Sequence, residues 1–345
     1  MSAEYINGVE MLRGVEEDFR GAREAAYIYN SAVAAWAICA AWEVGALDEL
    51  NENRKLDTAE FAEAHGLDPL STLGMFRALA SVEIVRRIET VVMATDKFDE
   101  IYRTKSFFHW LNRGSGELFR QMPKALVERN RVGEYYERDP AAIAYACRDI
   151  SAITYDETFH ATLDRIDFPF TVVADLGCGS GGRLMDVLGR HPGTRGFGID
   201  IAEPSLEVAR RDAAEAGFGD RTEFFQADVL NLRERPEFRE VEVLTCFMMA
   251  HDFWPKETCI ATLRRLRELF PNVKRFLFGD ATRSVGVHDT ELGVFTLGFE
   301  LGHDLMGTFM PTLADWCSVF SESGWNLLRV NRIEVAAGEV IAELA

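Results

Sequence analysis

The residues most able to do chemistry fall into two sets. The first is two His-Asp pairs, His251-Asp252 and His303-Asp304, each set among apolar residues. An imidazole beside a carboxylate can move a proton or hold a metal ion. The second set is Asp175, Asp200 and Asp228, each at or just beyond the end of an apolar run. Carboxylates so placed suit a ligand that carries hydroxyls and positive charge. Asp175 opens Asp-Leu-Gly-Cys-Gly-Ser-Gly-Gly182, where four glycines fall within six positions.

An apolar run, a glycine cluster and the helical pattern of Arg183 to Leu188 predict a strand, a tight loop and a helix. Such glycines let the backbone turn sharply and let a ligand lie against the main chain, with a helix N-terminus behind it. Gly177, Gly179 and Gly182 also satisfy the dinucleotide fingerprint G-x-G-x-x-G. Asp175 separates the two possibilities, because a carboxylate at the loop mouth repels a pyrophosphate and suits an ammonium and a sulfonium. Asp200 closes the next strand, Gly196 to Asp200, where an acid commonly takes ribose hydroxyls. The stretch resembles the S-adenosylmethionine site of class I methyltransferases. A glycine turn that binds nothing is the bland alternative. Asp228 and Val229 sit where such enzymes meet the adenine, and Phe247 is assigned to the same cofactor-binding set as Gly177 and Gly179.

Alternating strands and helices must position these residues. Strands are expected at Thr171–Asp175, Gly196–Asp200, Thr222–Asp228, Glu242–Phe247 and Lys274–Gly279. Helices are expected at Pro204–Ala216 and Pro255–Phe270, and the tail, Asn326–Ile333 with Glu334–Glu343, is expected as a closing antiparallel hairpin. This is an α/β pattern, a doubly wound parallel sheet with ligands at the carboxyl ends of its strands. His251 lies just beyond the fourth strand. Two histidines from separate segments meeting in one pocket suggest a mononuclear metal, with Asp252 as a ligand or as the holder of a bound water. Alternatively, His251 is a base working alone and His303 a satisfied core histidine.

The preceding half reads differently. Glu16 to Leu50 has helical spacing with a small-plus-aromatic face around Ala32 to Trp42. Leu56 to Glu60 forms a capping box, Asp68-Pro69 starts a helix to about Ala80, and a hairpin is expected around Arg86-Arg87. That is a winged-helix outline, but its second helix carries one cation, Arg77, so DNA reading is disfavoured and dimerisation favoured. Residues 1–165 are expected to form a mostly helical, winged-helix-like dimerisation and substrate-capping domain, and 166–345 the catalytic domain. Trp110 is expected to wall the substrate pocket, His109 to pack, and a long helix, Pro140–Leu163, to carry Arg148, which could bind a substrate carboxylate. Met248 is assigned to the substrate as well.

Bulk properties narrow the partners. A net charge of −19 over 345 residues argues against nucleic acid and anionic membranes. The six cysteines are scattered without a C-x-x-C pair, as in a reduced cytoplasmic protein. No signal-peptide pattern opens the sequence, and its longest apolar run is too short to span a bilayer.

The combination of Cys246 to Pro255, Phe278 to Arg283, Phe299 to Asp304 and the Phe108-His-Trp segment resembles the metal-dependent 2-oxo acid C-methyltransferases of the phenylpyruvate type, which serve nonribosomal peptide (antibiotic) pathways. That resemblance implies a non-haem iron on His251 and His303, with Asp252 beside it. It implies that Trp110 and Arg148 lie near the pocket. The same ligand types accept zinc, nickel or cobalt. The implied reaction is enolisation of a 2-oxo acid, phenylpyruvate or a branched aliphatic such as 4-methyl-2-oxopentanoate, and attack of its β-carbon on the donor methyl. A metal-bound water near Asp252 would take the β-proton. Two other functions compete: a metal-free O-methyltransferase with His251 as base, and a non-enzymatic winged-helix sensor of S-adenosylmethionine.

Overall fold

The computed structural model describes residues 20–333 and 338–345. Two compact units result. The first runs to Glu117 and takes back Arg138–Ile150; the second comprises Leu118–Glu137 and Ser151–Ala345. The sequence-based boundary at 165/166 therefore differs from this division in two places, at 118–137 and at 151–165.

In the first unit, α1 (Arg20–Glu43) and α2 (Ala46–Asn53) are separated at Gly45, whose φ of 80° ends the first helix and caps the second. Residues 16–19 of the expected helix lie outside the described residues. α1 buries Ala34, Ala37, Ile38, Ala41 and Trp42 and leaves Tyr27, Ile28, Tyr29 and Trp36 exposed. The strand β1 (Lys55–Asp57) leads into α3 (Thr58–Ala64), capped by the Asp57 carboxylate on the N–H groups of Ala59 and Glu60. α4 (Pro69–Ser81) is capped by Asp68. The strands β2 (Val85–Ile88) and β3 (Val91–Ala94) complete a small sheet in the order β1-β3-β2. Arg86 and Arg87 lie within β2, and the turn falls later, at Glu89, which takes φ 53°. α5 (Phe98–His109) runs into a π-helical turn, Trp110–Gly114.

α6 (Pro140–Leu163) begins in the first unit and ends in the second. The second unit is built on a seven-stranded sheet of order β6-β5-β4-β7-β8-β10-β9. Its parallel strands are β4 (Val172–Leu176), β5 (Arg195–Asp200), β6 (Thr222–Gln226), β7 (Val243–Phe247) and β8 (Arg275–Asp280). Antiparallel β9 (Leu327–Arg332) and β10 (Val340–Leu344) close it, with β10 inserted between β8 and β9. Residues 334–337 of the expected hairpin lie outside the described residues. β4 and β7 are buried at every position, as a strand covered on both faces must be. The covering helices are α7 (Gly182–Arg190), α8 (Glu203–Glu215), α9 (Lys256–Leu269), α10 (Thr296–Met306) and α11 (Leu313–Glu322).

Two cores result. On one face Tyr155 and Phe159 of α6 pack with Val173, Phe247, Leu277 and Ile341. On the other, Trp316 and Phe320 of α11 pack with Leu244, Phe276, Phe278 and Ala342. Alternation along each strand sorts its residues between these cores. Among the described residues, no single helix is long and apolar enough to cross a membrane.

Candidate functional site

The first part of the site is the glycine loop between β4 and α7. Gly177 (φ 68°) donates its N–H to the Ile199 carbonyl at 2.7 Å, folding the loop back onto β5. A Cβ on Gly177 would lie 2.5 Å from Met249 Sδ and displace that side chain, and the positive φ favours glycine there in any case. Asp200 fastens the loop from the next strand. One carboxylate oxygen accepts from Gly179 N–H at 2.8 Å and the other from Ala202 N–H at 2.8 Å. Hydrogen bonds to a charged group contribute about 1.5–3 kcal/mol each, so Asp200 sets the shape of the loop.

Asp175 does not stand at the loop mouth as the sequence suggested. It is 3 % exposed and accepts from the Thr245 hydroxyl of β7 at 2.6 Å. Burial pushes its carboxyl up to about 6 despite the Thr245 hydrogen bond and the nearby Arg183, which pull it down. Asp228 is committed to its own turn, accepting from Leu230 N–H and the Asn231 side chain, and Val229 is buried beneath.

The second part is built at the carboxyl ends of β7 and β8. Met248 follows β7 at φ 51°, a left-handed backbone in a non-glycine residue, and its N–H donates to Gly279 at 2.8 Å. The chain then enters a 3₁₀ turn, Ala250–Phe253, that carries His251. His251 is buried, and its partner is Asp280, the last residue of β8. Asp280 accepts from His251 Nδ1 at 2.7 Å and from the backbone N–H groups of His251 and Ala281. A carboxylate that accepts from two N–H groups makes Nδ1 the protonated nitrogen and leaves Nε2 with a lone pair.

His303, in the last turn of α10 before Gly307 ends the helix at φ 77°, is buried beside it. The two imidazole rings meet edge to face, 5.1 Å between centroids at 84°. His303 Nδ1 donates to the Phe299 carbonyl at 2.7 Å, so Nε2 is again the lone-pair nitrogen. Both rings are thus oriented through Nδ1, the arrangement that prepares an imidazole to bind a metal. Asp252 does not share this arrangement. It is exposed, and among the described residues no three His, Cys, Asp or Glu side chains gather to hold an ion. The carboxylate that serves His251 is Asp280, not the adjacent Asp252.

Phe247 and Arg183 lie against one another. Expected on the cofactor, Phe247 instead packs in the α6-side core, edge-on to Tyr155 and Phe159. The Arg183 guanidinium lies 3.8 Å from the centroid of its ring, a cation–π contact inside the protein. The Tyr155 hydroxyl contacts Met248 Sδ at 3.0 Å. Reading the sequence missed Asp280, Arg183 and Tyr155; an acid ending the fifth predicted strand was the one available signal.

Trp110 and Arg148 lie in the first unit. Trp110 is 3 % exposed beneath the Arg138 guanidinium, 5.2 Å from its ring centroid. Arg148 is exposed on α6. His109 is buried between Trp42 and Tyr145, with Nε2 on the Glu43 carboxylate at 3.1 Å.

A family model described as a methyltransferase domain matches residues 173–270, from β4 to the end of α9. The chain is 47 % identical over 327 residues to Methyltransferase ungE' of Aspergillus campestris (strain IBT 28561), covering 92 % of this chain and 96 % of that one. It is 27 % identical over 312 residues to the Indolepyruvate C-methyltransferase of Streptomyces griseus, covering 87 % and 88 %. The fold is similar to that of the Mitomycin 7-O-methyltransferase MmcR, with a TM-score of 0.67 at 19 % identity over 97 % of this chain and 99 % of that one. With the glycine loop clamped by Asp200 and close identity over nine-tenths of its length, the chain belongs to the class I S-adenosylmethionine-dependent methyltransferases.

Proposed function

We propose that the protein methylates the β-carbon of a 2-oxo acid. The observation that carries this reading is the pair of buried, edge-to-face imidazoles at the end of β7, each held through Nδ1. A single base needs one oriented histidine; a second, oriented in the same way and in contact with the first, needs another reason. Similarity to a protein named as an indolepyruvate C-methyltransferase supports the same chemistry.

The residues fit a metal ion in part. His251 and His303 would hold it through Nε2, leaving the remaining positions to the substrate's own oxygens; Asp252 is not placed to join them. The chemistry an ion supplies there is Lewis-acid polarisation of the keto oxygen. The protein's own contributions are separable from it. Asp280 fixes the tautomer and direction of His251, the Phe299 carbonyl fixes His303, and Asp200 holds the loop that seats the methyl donor. Arg183 supplies half-buried positive charge beside Phe247, at the same edge of the sheet.

The test is incubation with S-adenosylmethionine labelled in its methyl group and a panel of phenylpyruvate, indolepyruvate and 4-methyl-2-oxopentanoate, before and after exhaustive chelation. Label on the β-carbon, lost on chelation and restored by one divalent metal, is the expected result. Label on an oxygen, with turnover untouched by chelation, would replace this reading with that of an O-methyltransferase. The His251–Asp280 pair alone would then serve as the base.

We also propose assembly as a homodimer through α1, whose Tyr27, Ile28, Tyr29 and Trp36 are 52–72 % exposed. Sedimentation at micromolar concentration should give twice the chain mass, and Trp36→Glu should shift the boundary to the monomer.

A further inference from the structure

The second unit contains a buried carboxyl group that its fold does not use. Glu339 immediately precedes β10, whose first residue, Val340, pairs with Asp280 at the carboxyl end of β8. Glu339 is 1 % exposed, and neither carboxylate oxygen has a hydrogen-bond partner among the described residues. Only its backbone is engaged, its carbonyl accepting from Ile333 N–H at 3.0 Å. A buried polar group left unsatisfied is costly, and native proteins seldom keep one without a reason.

The same strand contains its own control. Glu343, 8 % exposed and on the same face, has its carboxylate bound by Arg165 at 3.0 Å and by the Asn331 amide at 2.9 Å. Glu343 is therefore a structural acid with a full set of partners. Glu339 is not.

Its position defines what it can reach. Strand alternation puts Glu339 on the face of Ile341, which packs in the core with Tyr155 and Phe247. It lies at the edge of the sheet where ligands of such folds bind. Neighbouring strands are about 4.8 Å apart, so two steps separate β10 from β7, roughly 10 Å. The glycine loop, after β4, is one strand further away. Glu339 thus belongs to the acceptor end of this edge. The groups that act on it are Tyr155 of α6, which shares its field and touches Met248, and Asp280 of β8. Burial first, and then the Asp280 carboxylate, push its carboxyl up to about 8, its own backbone N–H pulling the other way.

We propose that Glu339 is the general base that removes the β-proton of the 2-oxo acid. The inference rests on the function proposed above, in which both histidine Nε2 atoms are occupied and cannot take the proton. In the step, the Cβ–H bond breaks and its proton forms an O–H bond on the Glu339 carboxylate. The electron pair left on Cβ is delocalised as the enolate. That carbon then forms the new C–C bond to the donor methyl while the methyl–sulfur bond breaks, leaving a neutral thioether. A carboxyl group whose affinity for protons is raised to near working pH is well matched to this transfer.

The experiment follows deuterium washout from β-deuterated phenylpyruvate by the full-length enzyme loaded with S-adenosylhomocysteine, together with methyl transfer from S-adenosylmethionine. Wild type should catalyse washout without methyl transfer. Glu339→Gln should lose both by 100-fold or more, while calorimetry shows S-adenosylhomocysteine affinity within threefold of wild type. Glu339→Leu should be equally inactive yet melt at a higher temperature, since it removes an unpaired buried acid; a structural acid would give a lower one. Glu339→Asp should retain measurable washout. Washout and methylation at wild-type rates in Glu339→Gln would overturn the assignment and leave the 2-oxo acid reading intact. A wild-type enzyme that neither exchanges nor methylates any 2-oxo acid in the panel would overturn that reading, and this assignment with it.

Discussion

The two ends of one sheet edge are built on different plans. At the donor end, after β4 and β5, almost every polar contact runs between segments close in sequence or between adjacent strands. Gly177 and Cys178 donate to Ile199, Gly179 to Asp200, and Asp200 also accepts from Ala202. At the ends of β7 and β8, His251 depends on Asp280 and meets His303 from α10, while Glu339, whose carboxylate has no partner among the described residues, precedes the strand that pairs with β8. The donor end is a backbone device, stiff and satisfied. The other end is a side-chain device assembled from four segments distant in sequence.

If that division is right, substitutions at the two ends should separate cleanly. The largest effect is expected from His251→Gln. Turnover should fall by about 10²–10⁴-fold, the range for losing a group that acts in the transition state, with S-adenosylhomocysteine affinity unchanged by calorimetry. A parallel loss of cofactor affinity would show that the ends are not independent. Asp200→Ala should do the reverse. Losing two charge-assisted bonds to the loop should weaken cofactor binding by about 10- to 100-fold and lower the melting temperature by a few degrees. Turnover at saturating cofactor should stay within a few-fold of wild type.

A pH experiment distinguishes the ends more finely. Glu339 holds its proton more tightly folded, at about 8, than its ordinary value of 4.5 allows unfolded. Wild type therefore loses stability as pH rises from about 4.5 to 8, because the folded state binds more protons over that window. The melting temperature of Glu339→Leu relative to wild type should accordingly increase from pH 5 to pH 8. A difference that stays flat would show that the acid is paired in solution. The smallest effect is expected at Asp252: Asp252→Asn, an exposed position, should keep activity within about twofold. A 100-fold loss would bring Asp252 back to the metal.

The same division explains what could be read from the sequence. The glycine cluster, Asp200 and the strand ends were legible because a strand–loop–helix turn is a local event with a local signature. The expected strands agree with β4 to β8 to within two residues at either end. The reading failed where neighbours in sequence were taken for neighbours in space. His251 and Asp252 are adjacent, but a 3₁₀ turn rotates successive side chains by about 120°, so one is buried and the other exposed. Phe247, expected on the cofactor, packs in the core with Tyr155. Asp175 ends in the same apolar run as expected, but its side chain turns across to Thr245 of β7, a partner that no local pattern announces. The hairpin of the first unit was placed early because Arg86-Arg87 looked like a turn. The left-handed position went to Glu89.

The contact between β7 and β8 bears on how such proteins diverge. A Cβ on Gly279 would lie 2.1 Å from the Phe247 ring, which occupies the space a side chain would take and lies beneath Arg183. A side chain at 279 therefore requires the Phe247 ring to move. Alanine at 279 would eject the ring, and a smaller residue at 247 would strand the guanidinium over a hole. Among descendants of a common ancestor, positions 247 and 279 should therefore behave as one inherited character, replaced together or not at all.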